Sequence, residues 1–458
     1  MANSALYRTN TAPSASGYKY TFSAWVKRSK ITDRQQFWRV LNPSATTYYS
    51  YLEFQADDKL HFNDYSSNGT LDVATNRLFR DTNAWYHIMA VVDTTQGTAS
   101  DRIKLYINGA QETSLVGTTY SLGQNQATTG TESGKNNYVG GDLANNTRFF
   151  NGYMSHVSFV DGQALAPTVF GQTDSTSGIW KFKSPTGVTW GNNGYHLKFE
   201  NSGNLGLDSS GEGHNLTVSG NGRQAVDTPS NVHATFNPLW GTAGKTWTNG
   251  NTSYAYGNNY QRSSLFTLYS QYKFYLEWKT SSSTAVFHFN LTNEQLANDG
   301  RFGLDTSNNA SYRINDSSNA LTFVHAGNTD GVVNINGSAV SATDLIRIST
   351  SDVAMMAFDP ATGKLWLGKN GTWDKSGDPA NGNNPIYTWS SGNYTVGDPI
   401  YGGFGTEGGN RVDANFGNGF FGTTAISSAG SNGNGSLFEY DVPSGFYALN
   451  TKNTNTYG

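Results

Sequence analysis

The sequence predicts an all-β chain folded as two tandem antiparallel β-sandwiches. Three observations carry this. Glycine numbers 52 of the 458 residues, and charged side chains make up only 14%, against about 25% in ordinary globular domains. Aromatic residues reach 14%, enough to furnish cores, which argues against disorder. Apolar residues also alternate with period two in short runs closed by Gly, Asn and Asp, the pattern of strands joined by tight turns. At this length the chain divides into two or three domains, each able to bury a core.

The first region covers residues 1–227. Its segment YKYTFSAWVKRS puts Tyr18, Tyr20, Phe22, Ala24 and Val26 on one face of a strand. SYLEFQADDKLHFNDY follows as a hairpin turning at Asp57-Asp58. In Asp81 to Glu112, Trp85, His87, Met89 and Val91 share one face, and Tyr86, Ile88, Ala90 and Val92 the other. Both faces are largely apolar, so this strand is expected inside a sandwich. Ile103, Leu105 and Ile107 alternate with Lys104, Tyr106 and Asn108, a strand with one wet face. Asn108-Gly109 closes it, because both residues take positive φ cheaply. Further on, Tyr153, Ser155, Val157 and Phe159 alternate, QALAPTVFG is expected to form one helical turn, and GYHLKFE and SSGEGHNLTVSG read as closing strands.

Residues 228–240 read as an extended linker, since Pro229 and Pro238 fix φ and remove donors. The second region, 241–458, ends in a short tail. YKFYLEWKTSSSTAVFHFNLT supplies two strands, and VVNINGSAVS a hairpin at Asn336-Gly337. DLIRISTSDVAMMAFDPATGKLWLGKNGTW supplies a strand, a turn at Pro360 to Gly363, a strand from Lys364 to Gly368, and an Asn370-Gly371 turn. PIYGGF, RVDANFGNGFF and PSGFYALNT complete it.

The wording AWYHI, VVDTTQ, ASDRIKLYING and GYMSHVSFVDGQAL resembles a laminin G-like, concanavalin A-like jelly roll that recurs in virion proteins of tailed bacteriophages. The pieces Met355 to Asp359, GKLWLGKNGTW, GDPANGNNPIYTW and VDANFGNGFF…PSGFYALNT resemble the SPRY fold, another two-sheet sandwich. The order of the two is similar to that of marine phage structural proteins. The resemblance implies a virion surface protein, made in the bacterial host cytoplasm, whose partners are other virion proteins, copies of itself and host-surface glycans.

Net charge is −4 with no basic tract, which excludes the electrostatic footprint of a nucleic-acid binder. The longest apolar runs, VAMMAF and HIMAVV, fall far short of the roughly 20 residues that span a bilayer. No apolar signal segment is visible at the N-terminus. Cysteine is absent, so the chain can fold in a reducing cytoplasm and persist outside.

Concanavalin A-like glucanases set acids at i and i+4 on one strand face, to flank the scissile bond. Glu53 and Asp57 have that spacing, but Asp57 falls in a predicted turn. No short-spaced histidine metal motif and no G-x-S-x-G occurs. Gly403, Gly405 and Gly408 match G-x-G-x-x-G without a following helix, and AGKT at 243–246 lacks the earlier glycine of a phosphate loop because residue 239 is Leu. Non-enzymatic function is therefore expected, with a polysaccharide-degrading enzyme as the weakest alternative. Laminin G-like domains often bind calcium through loop oxygens, which makes calcium a possible cofactor. Asp93, Asp101 and Asp142 lie near predicted loops but serve equally well as turn residues.

The remaining signal is aromatic. Trp373 and Trp389 flank a Gly/Asn/Pro-rich segment, with Tyr387, Tyr394 and Tyr401 nearby. Flat amphipathic rings of this kind suit sugar stacking or a protein contact, although each Trp can equally cap a core. The expected function is a tail fibre, appendage or capsid decoration that adheres through glycans. A purely structural assembly protein is the alternative.

Overall fold

The structure is a computed structural model that describes residues 4–42, 44–239, 245–256, 262–268, 272–281, 286–292, 320–326, 331–335, 338–345, 348–388, 400–406 and 410–457. The chain divides into two compact units, Met1–Gln224 and Ala225–Gly458.

The strands of the first unit are β1 (Ala5–Thr9), β2 (Lys19–Arg28), β3 (Gln35–Asn42), β4 (Ala45–Phe54), β5 (Lys59–Ser66), β6 (Gly69–Leu78), β7 (Tyr86–Asp93), β8 (Ile103–Ile107), β9 (Ala110–Gln111), β10 (Leu115–Tyr120), β11 (Asn136–Val139), β12 (Gly152–Asp161), β13 (Gly171–Thr173), β14 (Trp180–Phe182), β15 (Tyr195–Leu197) and β16 (Thr217–Ser219). Among the described residues they form an eight-stranded sheet, β10-β6-β5-β4-β3-β11-β1-β16, a six-stranded sheet, β15-β12-β2-β7-β8-β9, and a two-stranded ribbon, β13-β14. Phe22, Ile88, Ala90, Val92 and Phe159 from the second sheet meet Trp38, Leu52, Phe62 and Val73 from the first in one core. Tyr20 to Val26 face it as alternation predicts, whereas Tyr18 lies outside the strand and is exposed.

Strand β7 is buried on both faces, but by different means. Ile88, Ala90 and Val92 point into the sandwich. Met89 and Val91 join Val160, Phe170 and Trp190, so their cover is coil and not a third sheet. The β13–β14 hairpin adds Trp180, whose Nε1 donates to His87 Nδ1 at 3.1 Å. The predicted helical turn is a 3-10 turn at Pro167–Val169.

The alternation read through Tyr153, Ser155, Val157 and Phe159 breaks. His156 adopts φ 46°, and the β12–β2 register shifts between Ser155 and Ser158. A bulge of this kind re-aims the side chains before it. Met154, Val157 and Phe159 therefore face the core, while Tyr153 lies under the Lys27 ammonium at 5.3 Å.

The Asn108-Gly109 turn forms with φ of 50° and 79°. A Cβ at Gly109 would fall 2.5 Å from the Trp180 ring. Gly109→Ala is expected to cost about 1–2 kcal/mol, from left-handed strain plus displacement of that ring. A denaturation midpoint equal to the parent's would show that the β13–β14 hairpin yields freely.

The second unit contains β17 (Lys245–Thr248), β18 (Ser253–Tyr256), β19 (Arg262–Leu268), β20 (Phe274–Thr280), β21 (Val286–Thr292), β22 (Ala320–Ala326), β23 (Gly331–Ile335), β24 (Ser338–Leu345), β25 (Ala354–Asp359), β26 (Lys364–Lys369), β27 (Thr372–Trp373), β28 (Tyr387–Thr388), β29 (Ile400–Thr406), β30 (Arg411–Asn415), β31 (Phe420–Phe421) and β32 (Thr424–Ala425). One sheet runs β17-β18-β30-β20-β25-β26-β27, with β28 beside β26. A second runs β19-β29-β21-β22-β23-β24, and β31 pairs with β32 in a short ribbon. Ile335 pairs with Ser338, as a hairpin at that point requires. The predicted Pro360 to Gly363 turn and Asn370-Gly371 turn both form, the latter with φ of 50° and 82°.

VAMMAF repeats the device of HIMAVV. Met356 and Phe358 face the sandwich core with Trp278, Leu365 and Leu367. Met355 and Ala357 face Trp366 of β26 and Phe438, Val442 and Phe446 of the C-terminal coil. Residues 228–240, read as a linker, also contribute to this unit. Phe236 is buried in its core, and Ala234 N–H donates to Leu449 at 2.9 Å. The tail holds a short helix, Thr451–Tyr457, which strand patterning did not anticipate.

Candidate functional site

The face of the eight-stranded sheet turned away from the core carries a band of rings and polar groups. It follows from alternation in β4. Leu52 and Phe54 enter the core, so Tyr49, Tyr51 and Glu53 point outward. Tyr49 stacks on Tyr51 with centroids 5.6 Å apart, and Tyr65 of β5 tilts against Tyr49 at 5.7 Å. Tyr48 meets Tyr65 edge-on at 5.5 Å. Farther along the same face, Tyr7 and Tyr138 lie 6.2 Å apart. Tyr65 is exposed, while Tyr7, Tyr48 and Tyr49 are half-buried.

Cations sit over these rings. The Arg39 guanidinium lies 5.6 Å from the Tyr49 ring, Arg34 lies 6.0 Å from Tyr51, and the Lys135 ammonium lies 5.8 Å from Tyr48. Each is held by an acid or amide. Arg39 Nη1 donates to Asp142 Oδ2 at 2.5 Å and to Gln36 Oε1 at 3.2 Å. Glu53 accepts from Arg34 Nε at 2.7 Å, Gln36 Nε2 at 2.7 Å and Gln55 Nε2 at 3.0 Å. Burial, and then the Glu53 charge, hold the Tyr51 hydroxyl well above its ordinary pKa, so it stays a neutral donor. Burial also lowers His61, which is neutral at pH 7.

Three polar atoms on this face lack a hydrogen-bond partner: Arg39 Nε, Asn63 Oδ1 and His61 Nε2. Leaving such groups unmatched costs about 1–3 kcal/mol each.

The predicted contact residues divide differently. Trp373 lines a groove of the second unit and packs edge-on against Tyr275 at 6.2 Å. Tyr387 is half-buried against the main core of that unit. Tyr401 pairs through its backbone with Thr267 and Thr292 in β29. Trp389 and Tyr394 lie outside the described residues. The tyrosines at 49, 51 and 65 were not singled out in the sequence, although the polar-aromatic alternation of TTYYSYLEF carried the signal.

The candidate acids are each engaged separately. Asp142 takes Arg39 and also accepts from Asn145 Nδ2 at 2.9 Å. Asp93 accepts from Thr95 and Gln96 and faces Lys19 at 3.4 Å. Asp101 stands in a 3-10 turn. Among the described residues no three acids or histidines converge as metal ligands. Asp57 lies in the turn after β4, with its side chain half exposed, and Glu53 is fully buried on the sheet. The two therefore do not flank a common cleft.

Residues 2–169 match the laminin G family profile described as the concanavalin A-like lectin/glucanases superfamily. The first unit is a laminin G-like jelly roll. Solved structures similar to the chain include domains LG4-5 of the mouse laminin alpha1 chain, 12% identical, covering 87% of this chain and 78% of that one with a TM-score of 0.29. A native heptameric SAP-like pentraxin from Limulus polyphemus is 16% identical, covering 41% and 82% with a TM-score of 0.29. The SPRY domain of human HERC1 is 12% identical, covering 39% and 96% with a TM-score of 0.26. No curated protein matches the chain. The ring-lined face belongs to the jelly roll, on the strands β3, β4 and β5.

Proposed function

We propose that the chain is a non-enzymatic adhesive protein of a tailed-phage virion surface, and that its jelly roll binds host-surface glycan on the outer sheet face. The stacked Tyr49, Tyr51 and Tyr65 carry this reading. Aromatic rings on rigid strands stack against sugar rings at little entropic cost. Arg34, whose side chain stays partly exposed beside them, supplies hydrogen-bond donors. The lectin-type fold of this unit supports the class of ligand. The virion setting is supported by the resemblance of AWYHI and GYMSHVSFVDGQAL to phage modules. Single sites of this shallow kind bind weakly, and many copies on a particle multiply them. Its partners are then copies of itself, neighbouring virion proteins and the glycan.

Tyr65→Ala and Tyr49→Ala should each weaken retention on host polysaccharide by about 1 kcal/mol, close to fivefold. The cores do not contain these side chains, so thermal stability should change little. Retention unchanged in the double variant would overturn the assignment of this face. Placement of the protein in a map of the intact particle tests the setting.

A further inference from the structure

The second unit contains a groove of about 610 Å³ that the glycan face does not explain. One wall is the segment 371–380, which follows β26, and the other is the coil 428–444. The two walls approach closely at Gly371, and the coil wall packs against itself at Gly430. A Cβ at Gly371 would meet the Tyr440 ring at 3.0 Å, and one at Gly430 would meet the Tyr440 carbonyl carbon at 2.3 Å. The coil wall is tied down from beneath. Buried Glu277 accepts the backbone N–H groups of Glu439 and Tyr440, each at 2.8 Å. Asp441 caps Ser431 N–H at 2.6 Å, and Asn432 Nδ2 donates to the Val442 carbonyl at 3.1 Å. The groove is therefore a built feature with a fixed shape.

Its chemistry has one sign. Trp373 and Tyr440 present half-buried rings, and the lining carries Asp378, Glu439 and Asp441 with no basic side chain. Among the described residues none of the three acids is in an ion pair. Glu439 accepts Ser427 Oγ, Asp378 accepts Asn381, and Asp441 accepts Ser431. Each carboxylate keeps unused acceptor sites, since it has about four. The other wall also holds strain. Lys375 and Ser376 both adopt left-handed backbone, with φ of 50° and 54°, which persists only where surroundings impose it.

We propose that this groove binds a cationic polypeptide segment. The aliphatic stem of a lysine or arginine lies against Trp373 and Tyr440, and its charged head lies among Asp378, Glu439 and Asp441. Apolar stem, ring face and carboxylates are the three surfaces such a side chain matches. An acidic segment meets unpaired like charge, and a neutral sugar leaves the carboxylates without a counter-ion. This site does not rest on the glycan face of the jelly roll.

The test titrates the full chain with the pentapeptide Gly-Lys-Gly-Arg-Gly, its Gly-Glu-Gly-Glu-Gly counterpart and a neutral maltohexaose. The basic peptide should bind, and binding should fall steeply toward about 1 M salt, where screening is nearly complete. Trp373→Ala should weaken it about fivefold. The double change Glu439→Gln, Asp441→Asn keeps the internal hydrogen bonds and should weaken it at least as much. It covers the case in which loss of Trp373 disturbs the fold. Tyr49→Ala should leave it unchanged. Equal binding of the acidic peptide, preference for the oligosaccharide, or no binding of the basic peptide at about 1 mM would overturn the proposal.

Discussion

Arg28→Met is expected to destabilise the first unit by about 3 kcal/mol or more. Arg28 and Asp58 are both fully buried and meet at 3.1 Å. The guanidinium also donates to the Phe79 carbonyl at 2.7 Å and lies 4.4 Å from the Phe54 ring. Desolvation pulls the Arg28 pKa down, and the Asp58 charge opposes it. Methionine fills a similar volume but leaves the Phe79 carbonyl unmatched and Asp58 short of its buried counter-ion. Asp58 still accepts from Arg80 Nε at 2.9 Å and from Thr32 N–H at 2.7 Å, which keeps the cost toward the lower end of the range for breaking a buried pair. Asp58 closes the β4–β5 hairpin at φ 64°, so the lost energy should appear as loosening of that hairpin against β2. Chemical denaturation of the full chain measures it. A variant within about 1 kcal/mol of the parent would mean that Arg80 replaces Arg28 without loss.

This pair was invisible in the sequence. Arg28 sits near the end of the segment YKYTFSAWVKRS, where no local pattern marks a buried ion pair, and Asp58 reads as one of two turn acids. Local pattern reports which face a residue takes, but not which distant strand lies beneath it. The apolar runs show the same boundary. HIMAVV announced a strand buried on both faces, and it is; VAMMAF, read only as a short apolar strand, is buried on both faces as well. Nothing local announced that the second face would be covered by coil, by Phe170 and Trp190 in one unit and by Phe438 and Phe446 in the other. Turns were legible wherever geometry demands particular residues, as at Asn108-Gly109 and Asn370-Gly371. The bulge at His156 was not, because it lies inside an alternating run with no Gly, Asn or Asp to mark a break. The candidate site was legible only in part. The sequence drew attention to Trp373 by its glycine-rich surroundings. The opposite wall at 428–444 and the face of β4 needed long-range pairing to assemble.

Glu277 should give the second unit a stability that falls as pH rises from about 5 to about 8. Its side chain lies on β20 at 0% exposure, and burial pushes its carboxyl from the ordinary 4.5 up to about 7. Hydrogen bonds from Glu439 N, Tyr440 N, Tyr275 Oη and Asn415 Nδ2 oppose that rise without cancelling it. The folded state therefore holds a proton that the unfolded chain has released between 4.5 and about 7. Stability from this group is complete below 4.5 and is lost as pH climbs through about 7. The gap corresponds to roughly 3 kcal/mol at full effect. Asp64, pushed up to about 6 by burial in the first unit, acts with the same sign, so the informative quantity is a difference between variants. Glu277→Gln removes the titration. Its amide also faces one of the two backbone N–H groups with a donor, which costs about 1–3 kcal/mol. The variant should thus be weaker than the parent in acid, and the gap should narrow as pH rises. Denaturation of both proteins across the pH range measures this. An equal slope in both would place the titrating group elsewhere and leave Glu277 as a hydrogen-bonding anchor alone. A narrowing gap would mean that the coil wall bearing Glu439 and Tyr440 is held most firmly in mild acid.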